Sequence, residues 1–237
     1  MNEALTLLSF GDAGWGDEIA HGVLITVSLA IATLPFGLAL GFILALAKKN
    51  DDPSLRLAAN IYTTIFRGLP ELLTLFLVYF GVQIAIQQLL KLMGVDAYIE
   101  VNSFVAGMVA LALVFSSYAS EAFLSAFRGI PQGQYEGGYS LGLSRGKTMR
   151  LIILPQLIRL ALPALGNLWL ILLKDTALIS VVGLSDLVRQ SGIAARVTKE
   201  PFLFFGTACL IYVVLAMISS IGLSRIEIWS KRGEMER

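Results

Sequence analysis

Residues 22–47 contain no charged side chain, and this constrains the chain more than any other feature. A helix needs about 20 mostly apolar residues to cross about 30 Å of hydrocarbon at 1.5 Å per residue. Residues 72–90, 101–120 and 202–224 are equally free of charge. Residues 160–173 and 176–185 are each too short alone, and they flank Lys174 and Asp175. Joined, they make one span with an ion pair set inside it. The expectation is an all-α membrane protein of five spans, near 20–47, 61–91, 101–126, 159–183 and 202–227. The second helix is taken to start near Ile61, ahead of its charge-free run. Pro35, Pro70 and Pro163 should bend their helices. Composition agrees: 56 % of the 237 residues are hydrophobic and 15 % are charged, against about 25 % charged in a soluble domain.

The loops fix the orientation. Lys48, Lys49, Arg56, Arg128, Arg145, Lys147, Arg150, Arg159, Arg225, Lys231, Arg232 and Arg237 fall on one side, and only Lys91, Arg189, Arg196 and Lys199 on the other. The side rich in Lys and Arg is cytoplasmic, so the N-terminus is expected outside and the C-terminus inside. The first 18 residues carry Glu3, Asp12, Asp17 and Glu18 but no Lys or Arg, the reverse of a cleavable leader's basic start. The net charge of +1 gives no sign of nucleic-acid binding. Cys209 is alone and is expected to be a small buried side chain. His21 is the single histidine, so no metal site is expected. No fixed-period repeat or linker divides the chain, and one domain over 1–237 is the simplest organisation.

The cytoplasmic loop, about 128–158, contains EGGYSLGLSRGKT at 136–148. Its Gly146-Lys147-Thr148 ending looks like the close of a phosphate-binding loop. That motif needs four residues between its first glycine and the Gly-Lys pair, and a strand before it. Between Gly142 and Gly146 there are three, so the spacing argues against nucleotide binding by this chain. Another spacing fits better. Glu136 is followed six residues later by Gly142, ten further by Ile152, and then by Leu154 and Pro155.

This spacing resembles the EAA signature of permease subunits of ATP-binding-cassette importers. The resemblance implies two short helices joined at Gly142, docked into a groove of a separate ATPase. Gly142 can take the positive φ of a sharp turn. Tyr135, Tyr139, Leu141 and Leu143 give an apolar patch ringed by Arg145, Lys147 and Arg150. The alternative is a loop lying on the anionic inner leaflet. Gly137 and Gly138 depart from the family's two alanines and cost about 0.5 to 1 kcal/mol of helix stability each, so the first helix is expected to form fully only against its partner. Residues 152–155 are where rigid attachment to the next span is expected, with Pro155 forcing a bend.

HGVLITVS (21–28), YTTIFRGLPELL (62–73), YASEAF (118–123), LPALGN (162–167) and LLKDTALIS (172–180) extend the resemblance to nearly the whole chain. They look like the polar amino-acid branch of the type I importer permeases, most similar to Q-type subunits of histidine, arginine and opine importers. The resemblance implies a five-helix permease fold in a bacterial inner membrane and a non-enzymatic, pore-forming role. It implies two copies of a partner ATPase that bind ATP and Mg, a second permease (an M-type sibling, or another copy of this chain), and a periplasmic binding protein. No cofactor is implied in this chain itself. A transporter or channel not driven by ATP is the competing class, disfavoured by the lack of paired inverted repeats.

Charges inside spans should face protein or a water-filled path. Arg67, Glu121, Lys174 and Asp175 stand out, with Tyr118 on the face of Glu121. Arg67 and Glu121 are expected to pair near the cytoplasmic end, and Lys174, about 21 Å past Leu160, beyond the midplane. Substrate contact and fixed interhelical pairing both remain open for these residues. Gly107, Ala110 and Gly166 are expected to be close-packing positions, and Trp169, Phe202, Phe204 and Phe205 lipid-facing or interfacial. Residues 184–201 form either a docking surface for the binding protein or a plain connecting loop.

Overall fold

The computed structural model describes residues 2–11, 13–94 and 100–231, so Asp12, Arg232 and Arg237 lie outside the described residues. Its helices are α1 (Asn2–Leu7), α2 (Gly16–Lys49), α3 (Pro53–Gly68), α4 (Glu71–Leu92), α5 (Ser103–Gly129), α6 (Gln132–Ser140), α7 (Arg145–Thr148), α8 (Leu154–Asp175), α9 (Leu187–Thr198) and α10 (Pro201–Lys231). A π turn, Met149–Ile153, joins α7 to α8, and a 3-10 turn, Thr176–Val182, extends α8. Among the described residues five segments are long and apolar enough to cross a membrane: Gly16–Lys49, Glu71–Leu92, Ser103–Gly129, Arg145–Val182 and Pro201–Ser230.

The second span differs from the expectation of one helix over 61–91. Leu69 and Pro70 are extended, because a proline disfavours helical backbone at the residue before it and lacks an N–H of its own. The chain therefore breaks into α3 and α4. Asp52 starts α3 by accepting from the Ser54 N–H at 2.8 Å, the usual role of an N-cap carboxylate. Arg67 consequently sits in the last turn of a separate amphipathic helix and not within a spanning one. Pro35 and Pro163, by contrast, lie inside unbroken helices.

The most buried span is α5, which packs most closely against α2. Small residues allow that approach: a Cβ added at Gly41 would lie 2.8 Å from the Ala119 Cβ. Phe115, Phe123 and Phe127 of α5, with Leu75, Ile153, Leu157 and Leu172, fill the main core. Ala110 is buried there, and Gly107 and Gly166 contact Ile179 and Leu223, as close-packing positions should. α4 and α10 bury little of themselves, so their apolar side chains remain for lipid or partner protein.

Residues 184–201 are not a plain loop, since they contain α9. α9 buries Leu187, Ser191, Ala194 and Ala195 against Ile19 of α2 and Phe204 and Ala208 of α10, a second core at the helix ends farthest from α6. Phe204 is therefore core, while Phe202 is exposed and Trp169 borders the main core. Cys209 is exposed on α10 and not buried, because the face of α10 that packs on α9 carries Phe204 and Ala208 instead.

Candidate functional site: the elbow and the charged path

Two short helices meet at a turn in 132–148, as the signature implied. Gly142 has φ +75, a left-handed conformation that side chains with a Cβ rarely adopt. Its N–H donates to Tyr139 O, and that of Leu143 to Gly138 O, closing α6. Ser144 then caps α7. Glu136, Gly137, Tyr139, Leu141, Arg145, Lys147 and Arg150 are all exposed, with Leu141 at 79 %. An apolar tip with a basic rim is thus exposed on the surface of the chain.

The elbow is fixed at its base. A Cβ at Gly138 would lie 2.6 Å from the Thr148 side chain and 3.1 Å from Ile152, so glycine is what lets α6 press against α7. This close contact explains the departure from alanine at Gly138 but not at Gly137, which has open space around it; α6 spans Gln132–Ser140. Thr148, the last residue of the loop-like Gly-Lys-Thr, is buried in that contact. Its hydroxyl faces protein and cannot reach a metal-bound phosphate.

Tyr135 does not join the exposed patch. Its hydroxyl accepts from Lys49 Nζ at 2.7 Å, and the same ammonium lies 4.5 Å from the Tyr135 ring centre and 4.7 Å from that of Phe127. This cation–π clamp ties α6 to the ends of α2 and α5. Gln156 Nε2 donates to Gln134 Oε1 at 3.1 Å, a further tie to α8.

Pro155 does not bend the chain away. Leu154 N–H reaches back five residues to Met149 O, and this wider turn makes room for a residue with no N–H to give. The result is one rod from Arg145 to Val182, with Ile153 wholly buried at its base. Pro155 itself is exposed.

Above the elbow, charges from three helices converge. Glu121 of α5 accepts from Lys48 Nζ of α2 at 2.5 Å and lies 3.3 Å from Arg67 Nη1 of α3. The Lys48 side chain is 3 % exposed, while those of Arg67 and Glu121 are 46 % and 39 % exposed. Arg67 also lies 5.7 Å from the Tyr118 ring centre. The predicted Arg67–Glu121 pair is thus present, joined by Lys48, which stands just past the charge-free run. Tyr62 anchors α3 beside them through Leu113 O at 3.1 Å and Ser116 Oγ at 3.0 Å.

One layer further along α5, Tyr118 lines a cavity of about 20 Å³ with Glu71 and Asp175. The predicted Lys174–Asp175 pair is absent among the described residues, since neighbours in a helix point in different directions. Lys174 is exposed and makes no ion-pair contact with Asp175, though its charge still acts on that carboxylate; Asp175 faces Glu71 across apolar walls of Leu111, Phe115 and Leu172. Two carboxylates converge on a cavity whose lining holds no cation, and an opposite charge placed there favours their ionised forms.

Residues 37–226 match the sequence profile of the family described as "Binding-protein-dependent transport system inner membrane component". The chain belongs to this family. It is 43 % identical to the nopaline transport system permease protein NocQ of Agrobacterium fabrum, over 97 % of this chain and 98 % of that one. It is 39 % identical to the arginine ABC transporter permease protein ArtQ of Haemophilus influenzae, over 89 % and 92 %. Against the histidine/lysine/arginine/ornithine transport system permease protein HisQ of Escherichia coli it is 36 % identical, over 87 % and 90 %. A solved amino acid ABC transporter superposes with a TM-score of 0.75 at 32 % identity, covering 90 % of this chain and 94 % of that one. An inward-facing MetNI methionine ABC transporter has a TM-score of 0.70 at 17 % identity, over 90 % and 96 %, and shares the fold alone. The chain is an integral membrane permease component.

Proposed function

We propose that this chain forms half of the translocation path of an ATP-driven importer of polar, basic amino acids or opines. The carrying observation is the elbow: an exposed Tyr139–Leu141 tip, clamped through Tyr135 and Lys49 to α2 and continuous with the rod that ends at Val182. A partner that moves such a tip moves the bundle, because a contact biases an equilibrium only when it differs between the two states. Two copies of an ATPase subunit, which hold ATP and Mg, supply that motion. A second permease, an M-type sibling or another copy of this chain, completes the path, and a periplasmic binding protein delivers substrate. The elbow faces the cytoplasm and the N-terminus the periplasm of a bacterial inner membrane.

Within the path, Glu71 and Asp175 receive the substrate's ammonium or cationic side chain and Arg67 its carboxylate, while the Lys48–Glu121–Arg67 cluster holds α2, α3 and α5 together at the cytoplasmic end. The names of the relatives above, which carry nopaline, arginine and histidine, support this substrate class. The test is uptake of radiolabelled arginine, histidine, octopine and glutamate by the reconstituted complex. Cationic substrates should accumulate only with ATP and all components, and the Glu71→Gln, Asp175→Asn pair should weaken them while leaving the ATPase assembled. Unchanged apparent affinity in that variant overturns the substrate contacts, and accumulation without an ATPase subunit overturns the whole reading.

A further inference from the structure

A cavity of about 730 Å³ lies between the 3-10 turn, α9 and the start of α10, lined by Arg189, Arg196 and Lys199 and by Val181, Val188 and Phe205. We propose that it binds an anionic phospholipid, its phosphate held by the three cations and an acyl chain lying along Phe205.

Arg189 and Arg196 stand two turns apart on one face of α9. Lys199 ends that helix at φ +62, a left-handed position that normally takes glycine. No carboxylate lines the cavity, and none of the three cations makes an ion pair among the described residues. Asp186 bears on Arg189, but it is buried as the cap of α9, and Glu200 is exposed outside the lining. Arg189 spends one donor on Ser180 O at 3.2 Å and keeps the rest of its fork.

Lipid is favoured over a soluble anion by the walls. Val181 is 58 % and Phe205 44 % exposed, and Phe202 beside them is 93 % exposed. An aqueous docking face would leave these apolar groups in water. α10 is an apolar span with little burial, so the cavity runs from cations at a helix end onto an exposed apolar face. That end is opposite the elbow: α9 packs beside Gly22 and Thr26 of α2, whereas the elbow grips Lys49. Cations at this level meet headgroups, and the cavity takes a headgroup with the upper part of a chain.

The test uses the intact complex in phosphatidylcholine nanodiscs doped with phosphatidylglycerol, with retained lipid counted by native mass spectrometry. The wild type should keep phosphatidylglycerol in preference to phosphatidylcholine. Each basic residue beside an anionic lipid surface contributes about fivefold, so the Arg196→Gln, Lys199→Gln variant should lose on the order of twentyfold of that preference. Both side chains are exposed, and matched melting curves check the fold. Phe205→Ala, which leaves the charges intact, should also reduce retention. Equal retention of the two lipids by wild type, or undiminished preference in both variants, overturns the proposal. So does displacement of the lipid by equimolar glycerol phosphate, the mark of a headgroup-only anion site. If the variants lose binding-protein-stimulated uptake in pure phosphatidylcholine with no change in lipid retention, the surface is a protein dock and the proposal also falls.

Discussion

At the scale of single residues, Glu121 does the work of one carboxylate for two cations, and only one of them has another recourse. Arg67 is half exposed, but Lys48 is nearly sealed. Glu121→Gln leaves that ammonium buried without its partner. A fully buried broken pair costs about 3–5 kcal/mol; Glu121 is partly solvated, so a loss of about 1–2 kcal/mol in thermal stability is expected, with recovery when Lys48→Met is added. Gly138 offers a sharper check. Gly138→Ala should cost the elbow about 1–3 kcal/mol by overpacking against Thr148, and Thr148→Ala in the same chain should restore it, read as melting temperature and as ATPase co-purification. Lys48 was legible in principle. It continues the buried stripe of Thr33, Gly37, Gly41 and Leu44 at helical spacing, yet beside Lys49 it reads as a loop charge. Glu71 was missed because it sits just ahead of a charge-free run and passes for its flank; an acid that opens an apolar helix directly after a proline was the available signal.

At the scale of elements, charge-free length made the spans readable, since it reflects the bilayer and not the details of packing. The same criterion merges α3 with α4, because a window of hydropathy does not register a two-residue break at Leu69 and Pro70. α9 was hidden for the opposite reason: its Arg189, Arg196 and Lys199 make it look exterior, although small residues at Ser191, Ala194 and Ala195 let its other face bury completely. Asp186 holds that helix in place. It is buried, its Oδ1 accepts from the Arg189 N–H at 3.0 Å, and its Oδ2 has no hydrogen-bond partner among the described residues. Burial pushes its carboxyl up from 3.8 to about 6, against the lowering effect of backbone hydrogen bonds. A folded-state value above the unfolded one means that the folded chain binds the proton more tightly. Stability should therefore fall as pH rises from about 4 to 6 and stay reduced above that, by at most about 3 kcal/mol. Asp186→Asn keeps the capping oxygen, so it should raise the melting temperature near pH 8 and leave it unchanged near pH 4; an equal shift at both would refute the assignment.

At the scale of the whole molecule, the chain has a hard axis and two soft faces. The axis is the rod from Arg145 to Val182, seated on α5, with the neighbouring α6 clamped to α2 through Lys49 and Tyr135. The faces are α4 and α10, which leave most of their surface to lipid or a partner protein. Fold and family were legible because membrane spans and the elbow spacing are both written in local sequence. The contacts that stiffen the elbow were not, since Gly138 against Thr148 and Lys49 against Tyr135 join residues that only the fold brings together. The central claim is that the exposed tip passes a partner's motion into this rod, and ATP-driven uptake by the full reconstituted complex carrying Leu141→Asp tests it most directly. A charge at the centre of the docking patch should cut uptake about tenfold or more, as loss of an interface hot spot does, with the variant chain still inserted and as stable as wild type. Uptake at the wild-type rate, with the aspartate in place, would contradict it.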